Sequence, residues 1–198
     1  VGINQLTAIE AMTFAGLPNL SHISMNRNQI TTIHPKAFEG SLNLKLVYLQ
    51  YNQIEALDPQ IFSGMTKIEL LHLGNNNLQE LHPETINKLT NLKSLYLTDN
   101  QIASIDRETI KSLINLGTLL LNGNRLTHID PEMFQGLSGL FLLSLSRNQL
   151  KSLDAQLFKG VTSISTLNMN GNEFTAIDPQ TFKDLVNLKW LELSSNQL

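Results

Sequence analysis

The sequence predicts an α/β-type repeat solenoid, one array in which a parallel β-sheet lines the concave side and turns or short helices line the convex side. Three observations carry that expectation. Asparagine recurs every 24 residues, at Asn4, Asn28, Asn52, Asn76, Asn100, Asn124, Asn148, Asn172 and Asn196. With Leu20 as position 1, apolar residues hold positions 1, 4 and 6 in every copy, from Leu20, Ile23 and Met25 to Leu188, Leu191 and Leu193. Phenylalanine holds position 19 at Phe14, Phe38, Phe62, Phe134, Phe158 and Phe182, with Ile86 and Ile110 in the two middle copies. A fixed period of this length marks a stacked array whose units cannot bury their apolar residues alone.

Each part of the repeat has its own justification. Positions 4 and 6 are two residues apart, so a short strand turns both to one face. Eight such strands stacked in parallel span roughly 35–40 Å. The asparagine at position 9 follows the strand and is never replaced by aspartate. That selectivity requires both its carbonyl and its amide, as in a ladder of turn hydrogen bonds through Asn28, Asn52, Asn76, Asn100, Asn124, Asn148 and Asn172. A carboxylate there would lack donors. Position 11 is apolar from Leu6 to Leu198, and position 14 is Ile or Leu from Ile9 to Ile177. Position 15 is Asp at Asp58, Asp106, Asp130, Asp154 and Asp178, often followed by Pro. Asp as N-cap with Pro at the first helical position starts a turn or short helix. His34 and His82 interrupt the carboxylate column, which argues against a stacked Ca²⁺ site.

The pattern LxxLxLxxNxLxxIxxxxFxxL, plain in LKSLYLTDNQIASI (92–105) and LFLLSLSRNQLKSL (140–153), resembles the leucine-rich-repeat family from end to end. The 24-residue form with Phe is similar to the "typical" subclass found in Toll-like receptor ectodomains, variable lymphocyte receptors and small matrix proteoglycans. The resemblance implies a horseshoe with a concave parallel sheet and a role in extracellular or cell-surface recognition. The chain divides into a part-repeat 1–19, seven full repeats over 20–187 and a part-repeat 188–198. The Cys-rich caps of extracellular relatives are missing, as in a piece of a longer ectodomain. Val1, Leu6, Ile9, Leu191, Leu193 and Leu198 are then expected to expose apolar surface and to favour end-to-end self-association.

No chemistry of catalysis is legible. The five histidines fall in four repeat columns with no Cys partner, and His82 begins HPETI rather than the HExxH of a zinc site. There is no GxSxG elbow, P-loop or dinucleotide fingerprint. The 14 Lys and Arg against 17 Asp and Glu leave a net charge near −3, which gives no expectation of nucleic acid as a partner. Zero cysteines exclude a disulfide framework and Cys-ligated zinc. No apolar run approaches the roughly 18 residues of a membrane span. No cofactor and no metal are expected.

Function is therefore sought where the repeat does not dictate the residue, at positions 2, 3, 5, 7 and 8, which point out of the concave sheet. Six of the eight phenylalanines fill position 19 and Phe174 fills position 11. The remaining Phe141, the three tyrosines Tyr48, Tyr51 and Tyr96, and Trp190 all fall in outward columns. Leu46, Tyr48, Leu70, His72, Tyr96 and Leu120 are expected to form one apolar-aromatic patch, flanked by Tyr51 and extended by Phe141 and Leu142, with Trp190 on the same face. Tyr and Trp bury much area at low rotamer cost, and four such side chains supply roughly 6–12 kcal/mol gross before association costs. The expected function is non-enzymatic binding of a protein or other macromolecular ligand on this face. The alternative is a matrix or adhesion scaffold assembling through ends or convex edges. Asn19-Leu20-Ser21 is the one N-glycosylation sequon. Ser41 occupies a core column, where Leu42 is expected to swing in.

Overall fold

The computed structural model describes residues 3–198. Each strand of the concave sheet is three residues long: β2 (His22–Ser24), β4 (Leu46–Tyr48), β5 (Leu70–His72), β6 (Ser94–Tyr96), β7 (Thr118–Leu120), β8 (Leu142–Ser144), β9 (Thr166–Asn168) and β10 (Trp190–Glu192). These eight form one parallel sheet in chain order, and each residue pairs with its counterpart 24 positions on, as Leu71 with Leu95. The middle residue of each strand turns inward beside position 6, and Leu71, Leu73, Leu95, Leu97, Leu119 and Leu121 are fully buried. The horseshoe is therefore the direct outcome of the LxL spacing. No helix among the described residues is long and apolar enough to cross a membrane.

The position-9 asparagine closes the turn behind each strand. Asn100 Oδ1 accepts from the backbone N–H of Leu78 (3.0 Å), while its Nδ2 donates to Leu73 O (3.0 Å) and Leu97 O (3.1 Å). The same three-way contact recurs at Asn52, Asn76, Asn124, Asn148 and Asn172, tying every turn to the preceding repeat. A second amide ladder runs at position 24, which the sequence reading missed. Asn43, Asn91, Asn115 and Asn187 each donate to the carbonyl 25 residues back. Asn19 stands exposed at the head of that column.

On the convex side two copies close a four-residue α-helix, α1 (Pro83–Ile86) and α2 (Arg107–Ile110), and one closes a 3₁₀ turn at Pro179–Phe182. The helical copies are the two that carry Ile in place of Phe at position 19. Elsewhere the phenylalanines stack in two runs, Phe14–Phe38–Phe62 and Phe134–Phe158–Phe182, with centroids 5.5–6.3 Å apart. Asp58, Asp106, Asp130, Asp154 and Asp178 accept from the N–H two residues on. His34 and His82 do the same through Nδ1, so the histidines break the row of carboxylates without breaking the row of caps.

Three expectations are corrected or refined. Leu42 does not swing into the core: Ser41 is itself fully buried, held by its N–H to Phe38 O, while Leu42 is 53% exposed over Gly64. The turn bond fixes which residue points inward, and a smaller side chain does not slip the register. Ile9 is buried rather than exposed, because β1 (Ala8–Ile9) pairs with β3 (Thr32–Ile33) in a separate two-stranded ribbon. The β-branched run Thr31, Thr32 and Ile33 favours that extended pairing. Leu6, Leu191 and Leu198 are exposed, Leu193 is partly buried, and Val1 lies outside the described residues.

Asn100→Asp places a carboxylate against two carbonyls and strands the Leu97 and Leu73 oxygens. The cost is about 3 kcal/mol, a fall of roughly 6–12 °C in melting midpoint. Calorimetry of the variant checks this, and an unchanged midpoint refutes the ladder's role.

Candidate functional site

The outward columns fall into register as rows across the sheet. At position 5, Tyr48 pairs with His72, His72 with Tyr96 and Tyr96 with Leu120. At position 3, Leu46 pairs with Leu70, and Ser94 and Thr118 follow. Leu46, Tyr48, Leu70, His72, Tyr96 and Leu120 thus occupy four neighbouring strands, each half-buried against the others. The rings touch: His72 lies 6.5 Å from Tyr48 at a tilt, and 4.9 Å from Tyr96 edge-on. A partner would find these side chains partly dehydrated already, so the gain on covering them is smaller than fully exposed rings would give.

Not every expected residue joins this group. Tyr51 belongs to the turn after β4, where the backbone is left-handed (φ 59°), and Arg27 stacks on its ring with the guanidinium carbon 4.9 Å from the centroid. Phe141 packs over Gly117, which has no side chain to block it, and stands 51% exposed on the sheet's margin. Thr118 separates Leu142 from Leu70's end of the row. Trp190 lies on the last strand, beyond Thr166, and is 61% exposed, apart from the tyrosines.

Several charged residues of the face form ion pairs. Glu69 sits between Lys93 (2.7 Å) and Lys45 (3.6 Å). The hydrogen bond from Lys93, then its charge, holds the Glu69 carboxyl below its ordinary value. Arg147 reaches Asp99 (2.9 Å) across the intervening repeat. That bridge passes over Gly123, where a Cβ would collide with Asp99 Oδ1. Nothing in the repeat pattern signals this ion pair above the glycine.

His72 is the one imidazole inside the patch. Its Nδ1 accepts from the N–H of Gly74 (3.3 Å), which puts the proton of the neutral ring on Nε2. Gly74 makes room, since a Cβ there would lie 3.0 Å from the imidazole. Burial among Tyr48, Tyr96 and Leu70 lowers its pKa from the ordinary 6.5. Among the described residues no group of His, Cys, Asp or Glu side chains is arranged to hold a metal ion.

Two outcomes follow from this geometry. NMR titration of His72 should give a midpoint below 6.5, and the neutral ring adds stability that is complete above 6.5 and is lost as pH falls through the folded-state value; a midpoint above 6.5 contradicts the burial. Gly123→Ala should displace Asp99 or Arg147 and cost about 1–2 kcal/mol, since φ is +70° there; a denaturant titration checks it.

The Leucine rich repeat family model matches the sequence over residues 1–54, 42–102, 90–150 and 143–198. No curated protein matches it. Among solved structures, a leucine-rich-repeat protein of Leptospira interrogans superposes with a TM-score of 0.89 at 30% identity, covering 98% of this chain and 48% of that one. The Toll–Spatzle complex of Drosophila gives 0.89 at 23% identity, covering 99% and 26%, a likeness of fold alone. TLR13 in complex with ssRNA13 gives 0.86 at 28% identity, covering 98% and 28%. The chain spans about half, or less, of the length of each of these structures.

Proposed function

The chain belongs to the leucine-rich-repeat family, and from that premise we propose that it is a non-enzymatic recognition module which binds a macromolecular partner on its concave sheet. The observation that carries the reading is the Tyr48–His72–Tyr96 row with Leu46, Leu70 and Leu120 around it, on a face the core does not need. The aromatic fraction is only 6% of the chain, and the tyrosines all fall on or beside this row. Aromatic side chains in such positions are the usual anchors of interfaces. The paired charges around the patch favour a partner recognised by apolar contact and hydrogen bonds over one held by its phosphates. The 24-residue repeat's resemblance to the typical subclass, with TLR13 among the similar structures, supports an extracellular or cell-surface setting and a receptor or immune-recognition role.

The test is Tyr48, Tyr51 and Tyr96 changed together to alanine. Tyr51 is exposed and the other two are half-buried, so the melting midpoint should fall by no more than a few degrees. Immobilised wild-type protein should retain a partner from extracellular fluid that the triple variant releases. A partner retained equally by both overturns the concave reading.

A further inference from the structure

The patch carries polar atoms in an order that narrows its ligand. Tyr48 and Tyr96 each present a phenolic hydroxyl, and between them the His72 ring, tied to Gly74 through Nδ1, keeps its proton on Nε2. The row is thus three donors on three rings. Two residues further along the same strands lie Gln50, Thr98 and Asn122, with Gly74 leaving a gap between the first two. Gln50 keeps its Oε1 buried with no partner, and Thr98 donates to Asn122 across the repeats. No ionised group stands inside this double row; Lys45, Glu69 and Lys93, and Asp99 with Arg147, lie at its margins.

Size narrows the ligand further. Four strands about 4.8 Å apart, over about four residues of strand length, outline roughly 200 Å². A stable protein–protein interface covers about 800 Å² per partner. The double row alone matches a small ligand or a short stretch of a polymer. Covering it with apolar side chains would bury the three ring donors unpaired, which opposes binding. A sugar ring meets both demands, with a C–H face for the aromatic rings and hydroxyls at its rim for the donors and amides.

We infer that the double row formed by Tyr48, His72 and Tyr96 beside Gln50, Thr98 and Asn122 is a binding site for a neutral glycan. This rests on the concave reading above and specifies the chemistry of its ligand. A chain of sugars running across the strands would place successive rings over successive repeats, which a solenoid can follow and a compact pocket cannot.

The experiment uses the full chain and a glycan array carrying neutral and sulfated oligosaccharides, with hits followed by NMR titration. A neutral glycan should be retained by wild type, lost by the triple alanine variant and unaffected by 0.5 M salt, where the Debye length is about 4 Å. It should shift the ring resonances of Tyr48, His72 and Tyr96. Tyr48→Phe and Tyr96→Phe keep the rings and remove the hydroxyls, and each should weaken binding about threefold to tenfold, the worth of one ordinary hydrogen bond. Retention of sulfated glycans only, abolished by salt, overturns the inference. So does an array with no neutral hit above the triple variant. If a protein partner is meanwhile retained by wild type and released by that variant, the concave reading stands and only the glycan falls.

Discussion

Every turn that leaves a strand in this fold buries carbonyls and amides that the strand ladder cannot reach, and one carboxamide per repeat satisfies them. Asn76 shows the constraint in full. Its oxygen takes the N–H of Ile54, and its nitrogen serves the carbonyls of Leu49 and Leu73, one in each of two repeats. No other side chain of that size carries an acceptor and two donors in a plane. The buried end of each turn thereby depends on the repeat before it, so the spacing of 24 has to be held throughout the array. Parallel register in the sheet follows, since one residue more or less between the strand and the asparagine would carry the amide out of reach.

The same turn imposes a cost beside the asparagine. Position 8 is left-handed in every described copy, and only Gly123 and Gly171 meet that demand without a side chain. Arg27, Tyr51, Asn75, Asp99, Arg147 and Ser195 accept the conformation despite a Cβ. The strain puts side chains at the rim of the sheet in a fixed direction. Arg27 reaches back over Tyr51, and Arg147 reaches Asp99 two repeats away. A structural requirement of the turn therefore sets the rim around the concave face.

The periodic part of the molecule was legible because periodicity speaks through many copies at once. The inward strand residues, the position-9 asparagines, the Asp caps and the outward rows at positions 3 and 5 all follow from counting in steps of 24. What escaped the count was whatever varies between copies. The position-24 amide ladder is broken by Lys67, Gly139 and Ser163, so no column announced it. The ribbon of Ala8–Ile9 with Thr32–Ile33 occurs in only two neighbouring copies among the described residues, and the Ile column they share continues through copies that form no ribbon. Ser41 was misjudged because a small residue in an apolar column suggests a substitute from next door, whereas turn hydrogen bonds leave the neighbour no freedom to move. The candidate patch was legible as a set of residues. Its internal contacts, in which His72 lies between two tyrosines and bonds to Gly74, needed side-chain geometry.

That geometry shows that the face is shaped by side chains that are missing as much as by those present. Gly74 lets His72 lean over its own strand, Gly117 receives the ring of Phe141, and Gly123 lies beneath the Asp99–Arg147 bridge. None of the three is needed by the core, since their columns carry Gln50, Lys93 and Asp99 in other copies. A repeat array gives each strand one inward residue that packing dictates and two outward ones that it does not. Here the outward freedom is spent on making room: each glycine admits a neighbour's side chain that a Cβ would exclude. The arrangement of rings and ion pairs is thus a property of several repeats together, and no single 24-residue unit contains it.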